Sequence, residues 1–288
     1  MLTPRTVFSS SPRIANTSTP RTAETKETLN CRHAERVIMI WQFLRLIAGF
    51  ITTLAIVTAA DLFRLYNSVS KLVTTETTKL FTLQDIPPDV RKPKSLLSEV
   101  ATLPENGNWI VAYERVASRP VRRCELISGP SPGWLLTRYI RATMTAFSGT
   151  PQVFLLKRML PRDDGDTRRT FQREWIQTLD FNEGDRVNGF WRVAHRGRCG
   201  GEEERVELVM DAPAGYQGPV VQGVVVVGME TAGRDGVVFV NETWMWREKD
   251  ERKVLLESAA GKWLHGLLSS WLVTRGLDAL LKTDEKEE

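Results

Sequence analysis

Histidine and cysteine are scarce, at three each in 288 residues. His33, His195 and His265 lie too far apart for zinc-type ligand spacing, so no metal is expected, and no cofactor motif is present. There is no G-x-S-x-G nucleophile elbow. Gly184-Asp185 and the glycines of 197–201 read as turns with no helix behind them, which excludes a phosphate loop. The net charge of +4 comes from basic residues scattered among acidic ones. Without a long Lys/Arg run, a zinc-finger pattern or an RNP pattern, nucleic acid is not an expected partner. Arg115, Arg119, Arg122 and Arg123 cluster around Pro120 and read as a solvated turn.

Long apolar runs are also rare, and the single exception dominates the chain. Residues 37–60 are apolar apart from Arg45 and a few small polar residues. A bilayer core needs about 20 such residues in a helix, and Arg45 sits near enough to one end to snorkel. The arm before it, residues 1–36, is basic and rich in Ser, Thr and Pro, a composition that does not build a core. Its cationic bias over the flank after residue 60 predicts a signal anchor. The main domain would then lie on the lumenal or extracytoplasmic side. Three other readings stay open. The first is a cleaved signal peptide with translation from Met39. The second is a mitochondrial presequence followed by an inner-membrane anchor, although Pro4, Pro12 and Pro20 interrupt the amphipathic helix import needs. The third is a buried helix.

An oxidising lumen would allow Cys124 and Cys199 to form a disulfide, though two separate thiols are equally ordinary. Asn241-Glu-Thr243 is a glycosylation sequon placed inside an expected strand.

Periodicity then sets the elements. Residues 61–82 have apolar positions every third or fourth residue and predict a helix. Residues 85–93 form a Pro-rich linker, which gives a helical extension and linker over 61–94. A strand is expected at 108–116, and a helix from Ser131 to Phe147 stopped by Gly149-Thr-Pro151. Six strands should come next, at 153–160, 171–181, 186–195, 204–210, 220–230 and 237–246. The last two are joined around Asp235-Gly236, the strongest hairpin signal in the chain. A long helix from Val254 to Lys282 carries a broad apolar stripe, and the acidic tail 283–288 ends the chain. The expected fold is α+β: a curved antiparallel sheet of about seven strands wrapped on a long C-terminal helix, over 95–282, preceded by one transmembrane helix.

This order, over residues 108–282, resembles the helix-grip superfamily of START-type lipid carriers, polyketide cyclase-like proteins and plant pathogenesis-related allergens. The resemblance is one of topology, and no sequence motif carries it. The second short helix usual after the first strand is missing. A lipocalin-type barrel, the nearest rival, would not place a helix after its first strand. The resemblance implies a cavity between sheet and helix that holds an apolar ligand.

Trp191, Trp244, Trp246, Trp263, Leu267 and Trp271 are the candidate ligand-binding residues. Val238, Val240, Glu242, Trp244 and Trp246 share one strand face, and Trp263, Leu267 and Trp271 recur at helical spacing. The same aromatics can equally be packed core. Glu242, between valines and tryptophans, is a candidate acid or base if buried; alternatively it pairs with Arg192 or Arg247. His265, on a flank of the stripe, is the other catalytic candidate. The expected function is a membrane-anchored domain binding a small apolar molecule or lipid. Alternatives are a cyclase- or dehydratase-type enzyme on the same scaffold and a non-catalytic assembly protein of a membrane complex.

Overall fold

The computed structural model describes residues 62–100, 108–131, 133–161, 164–198, 203–218 and 221–282. The arm, the apolar segment 37–60, Cys199 and the acidic tail lie outside them. Phe63–Glu288 is one compact unit. Among the described residues, no helix is long and apolar enough to cross a membrane.

The fold is α+β, an eight-stranded sheet with a helix at its C-terminal end. The helix expected over 61–82 runs only through 62–69. Val73–Thr82 is strand β1, because its five threonines and one valine favour the pleated state over a helical turn. A short helix, α1 (Lys94–Val100), precedes β2 (Trp109–Ser118) and the two-residue β3 (Val121–Arg122). Next come α2 (Trp134–Ser148) and α3 (Pro151–Met159). The strand expected at 153–160 is thus a helix. Gly149-Thr-Pro151 ends α2 and also starts α3: the Thr150 hydroxyl accepts from the Val153 amide and Pro151 occupies the first turn, the two features that favour a helix start.

The strand expected at 171–181 is also absent, replaced by the short helices α4 (Gly165–Arg169) and α5 (Arg173–Thr178). The strand expected at 186–195 is broken into β4 (Arg186–Val187) and β5 (Trp191–Arg198). Asn188 and Gly189 between them take φ of 52° and 70°, the left-handed region an Asn-Gly pair enters readily. The strands β6 (Glu204–Met210), β7 (Gln222–Ala232) and β8 (Gly236–Glu248) obey the alternation of their sequences. Ala232 pairs with Gly236, so the turn occupies 233–235 and Gly233, at φ 69°, takes its left-handed position. The C-terminal segment opens as a 3-10 turn at Leu255–Glu257, then α6 runs Ala259–Asp278 from a Ser258 cap.

All strand pairs are antiparallel, in the order β1-β2-β8-β7-β6-β5-β4, with β3 beside β8. The first strands therefore pair with the last, and the intervening helices lie on one face. On that inner face, Tyr139, Leu136 and Ile140 of α2 pack on Phe239, Val227, Leu208 and Val193. The α6 helix rests on β1, β2 and β8 and on α2. A Cβ at Gly276 would come within 2.4 Å of the Tyr139 ring, so only glycine allows the two helices to approach this closely. The outer face is covered too. Trp244, Trp246, Tyr113, Trp109 and Val226 pack there with Ile86 and Leu96 of the segment before β2. The Glu207 carboxylate fastens that segment, accepting from the Lys94 and Ser95 amides and the Ser95 hydroxyl at 2.6–2.8 Å.

Candidate functional site

Between the inner face and α6 lies a cavity of about 120 Å³. Thr143, Met144 and Phe147 of α2 form one wall. Trp191, Met210, Val225 and Val227, with Asn241, Thr243 and Met245 of β8, form the sheet wall. His265, Leu268, Ser269 and Leu272 close it from α6, and Gln152 and Leu255 complete the lining. The helical set is spaced i, i+3, i+4, i+7, one face of α6. Position 242 lies between Asn241 and Thr243, so its side chain leaves on the opposite face.

Behind His265, outside the lining itself, stands Glu114, a residue that no sequence motif singles out. It stands on β2 opposite Thr243 and is 2% exposed. Its Oε1 lies 2.6 Å from His265 Nδ1, and the Ser269 hydroxyl lies 3.3 Å from the same nitrogen. A carboxylate accepts only from an N–H, so the pair places a proton on Nδ1, and in the neutral imidazole Nε2 is then an acceptor. The signal in the sequence is a lone acid between Ala112 and Val116 on the face Ile110, Ala112, Glu114, Val116 of the strand.

The expected binding residues separate into different places. Trp191 lines the cavity. Trp244 and Trp246 are in the outer-face core, 0% and 2% exposed. Leu267 is buried and Trp263 is 49% exposed; both line a groove of about 320 Å³ together with Tyr66 and Val69. Trp271 packs beside Val69, Val73, Val116 and Val273 and borders a groove of about 710 Å³ with Arg138, Arg141, Arg173 and Arg275. The ridge Trp263-Leu267-Trp271 therefore lies about 150° around α6 from the cavity face, nearly the opposite side of the helix.

Glu242 is 4% exposed and sits on the outer face. It meets Arg205 Nη2 at 2.6 Å and Arg115 Nε at 3.7 Å. Burial raises its pKa, and the Arg205 charge only partly offsets this. The partners expected from sequence are engaged elsewhere: Arg192 with Asp211, and Arg247 with Glu257. Asn241 is buried and its side-chain oxygen accepts from the Tyr139 hydroxyl at 3.2 Å; a glycan there would require sheet and helix to part. Cys124 is exposed, and its candidate partner Cys199 lies outside the described residues. Among the described residues, no group of three or more His, Cys, Asp or Glu is placed to hold a metal ion.

The chain matches no family model, no curated protein and no solved structure.

Proposed function

We propose that this is a membrane-anchored domain of helix-grip type that binds a small apolar molecule between its sheet and its C-terminal helix. The observation that carries the reading is the cavity itself. It is lined mainly by Trp191, Met144, Phe147, Val225, Met245, Leu268 and Leu272, with a few convergent polar groups at one end, the usual composition of a ligand site. The strand order supports the scaffold: β2, which precedes the inserted helices, pairs with the last strand β8, so the sheet and α6 enclose a space between them.

The membrane part of the reading rests on residues 37–60 and on the aromatics just beyond them. Phe63 and Tyr66 follow that segment by three and six residues in the sequence, are 64% and 47% exposed, and share the aromatic character of a membrane–water boundary. Trp263 lines the same groove as Tyr66. One observation favours an enzyme on this scaffold as the second reading, namely a cavity-lining His265 backed by Glu114, an arrangement suited to proton transfer.

Native mass spectrometry of the full-length protein, released from lipid nanodiscs, tests the ligand reading. A co-purified small molecule lost on Leu268→Trp, which fills the cavity, is the expected result. A bare protein mass that takes up no small apolar probe overturns it. Alkaline carbonate extraction tests the anchor: the intact chain should stay in the membrane pellet, and its recovery in the soluble fraction overturns that part alone.

A further inference from the structure

The walls and the polar end of the cavity together restrict what fits it. A dry apolar cavity of about 150 Å³ holds benzene. The present one, at about 120 Å³, accommodates a single ring or a short branched chain and has no room for a long acyl tail. Its polar end is arranged to receive a proton donor. His265 is held by Glu114 and Ser269 through Nδ1 alone, and among the described residues its Nε2 makes no hydrogen bond. Buried polar atoms left unpaired are costly, and a ligand that pairs them recovers that cost as affinity.

We infer that the cavity selects a compact, one-ring-sized apolar molecule carrying a hydroxyl group, whose proton is donated to Nε2 of His265. The inference rests on the reading of the cavity as a ligand site. Glu114 acts here as a positioning residue: it orients the ring and fixes the tautomer that makes Nε2 an acceptor, as carboxylates behind histidines do elsewhere. A ligand of the same shape without the hydroxyl would bury Nε2 unpaired.

The test uses two probes of equal shape, p-cresol and p-xylene, in equilibrium dialysis against full-length protein in lipid nanodiscs, with empty nanodiscs as the blank. A hydrogen bond to an imidazole polarised by a carboxylate predicts that p-cresol binds about ten- to hundredfold tighter. His265→Phe should remove that preference while p-xylene still binds. Nitrogen-15 NMR of the wild type reads the same contact without a variant: the Nε2 resonance of His265 should shift with p-cresol and stay with p-xylene. Equal binding of the two probes, a preference that survives His265→Phe, or an unmoved Nε2 resonance overturns the inference and leaves the ligand cavity standing. Absence of binding by either probe above the blank overturns both.

Discussion

The two faces of the sheet are built from the same ingredients and reach opposite results. Each carries tryptophan and valine and buries a carboxylate that pairs with a basic side chain. On the outer face Glu242 meets Arg205 and Arg115, beside Trp244 and Tyr113, whose rings are 4.4 Å apart. On the inner face Glu114 meets His265 beside a cavity. Arginine keeps its proton at any ordinary pH, so the cationic side of the outer pair has none to exchange, and the pair packs within a closed core. Histidine can exchange its proton, and the space beside it gives a ligand access. What separates a structural ion pair from a candidate site is therefore the partner's chemistry and the packing around it. The buried carboxylate is common to both.

The sharpest test of that contrast compares two tryptophans. Trp244 is fully buried in the closed core, so Trp244→Ala should cost about 3–5 kcal/mol. Trp191 stands at a cavity wall where part of its surface has no neighbour to lose, and Trp191→Ala should cost about 1–2 kcal/mol less. Urea unfolding midpoints of the two variants decide it. Equal costs would mean that the inner face is as closed as the outer one.

The next test sets Glu242 against a second ion pair, on the inner face. Arg247 and Glu257 form a bidentate pair at 2.6 and 2.8 Å that ties the end of β8 to the turn before α6. Glu257→Gln should cost about 3 kcal/mol, the low end for a broken buried pair, because Arg247 keeps the carbonyls of Glu248, Lys249 and Glu251. The hydrogen bond from Arg247 lowers the pKa of Glu257. Its contribution is therefore present above the unfolded value of 4.5 and lost as pH falls through the folded one. Glu242 has the opposite sign: its raised pKa makes the folded state bind the proton more tightly, so its contribution falls as pH rises above 4.5. Thermal melts across the carboxylate range should show Glu257→Gln flattening the acid loss of stability and Glu242→Gln steepening the rise toward neutral pH. The same direction for both variants would refute the contrast.

How much of this is legible in the sequence depends on what covers each element. The strands β6, β7 and β8 are readable because apolar and other residues alternate with period two, and Val238, Val240, Glu242, Trp244 and Trp246 do share a face. Which face meets the helix is not readable, because β8 is buried on both sides. The outer cover comes from the segment before β2, of which residues 85–93 look like a linker in the sequence. Residues 153–160 mislead because a short apolar run fits a buried strand or a helix equally well; the deciding signal is the cap at Thr150-Pro151. Asn188-Gly189 is a turn signal inside what looks like one strand. On α6 the apolar stripe is broad enough to hide its phase, so its pattern points Trp263 and Trp271 in the direction that belongs to His265, Leu268 and Leu272. Glu114 means nothing until its partner, 151 residues away, stands beside it.

The smallest expected stability effect belongs to the tryptophan on neither face of the sheet. Trp263 is half exposed, so Trp263→Phe should change stability by less than about 0.5 kcal/mol, as surface substitutions do. Its position beside Tyr66, a residue close in sequence to the apolar segment 37–60, gives it a different expected role at the bilayer boundary. That role can be read by fluorescence. In nanodiscs made with brominated acyl chains, wild-type tryptophan emission should be quenched in part, and the quenched part should shrink in Trp263→Phe. In Trp191→Phe it should stay the same, because the inner-face cavity shields that side chain from lipid. Equal quenching of the wild type and Trp263→Phe would detach the groove from the membrane and leave its exposed aromatics without the role assigned to them.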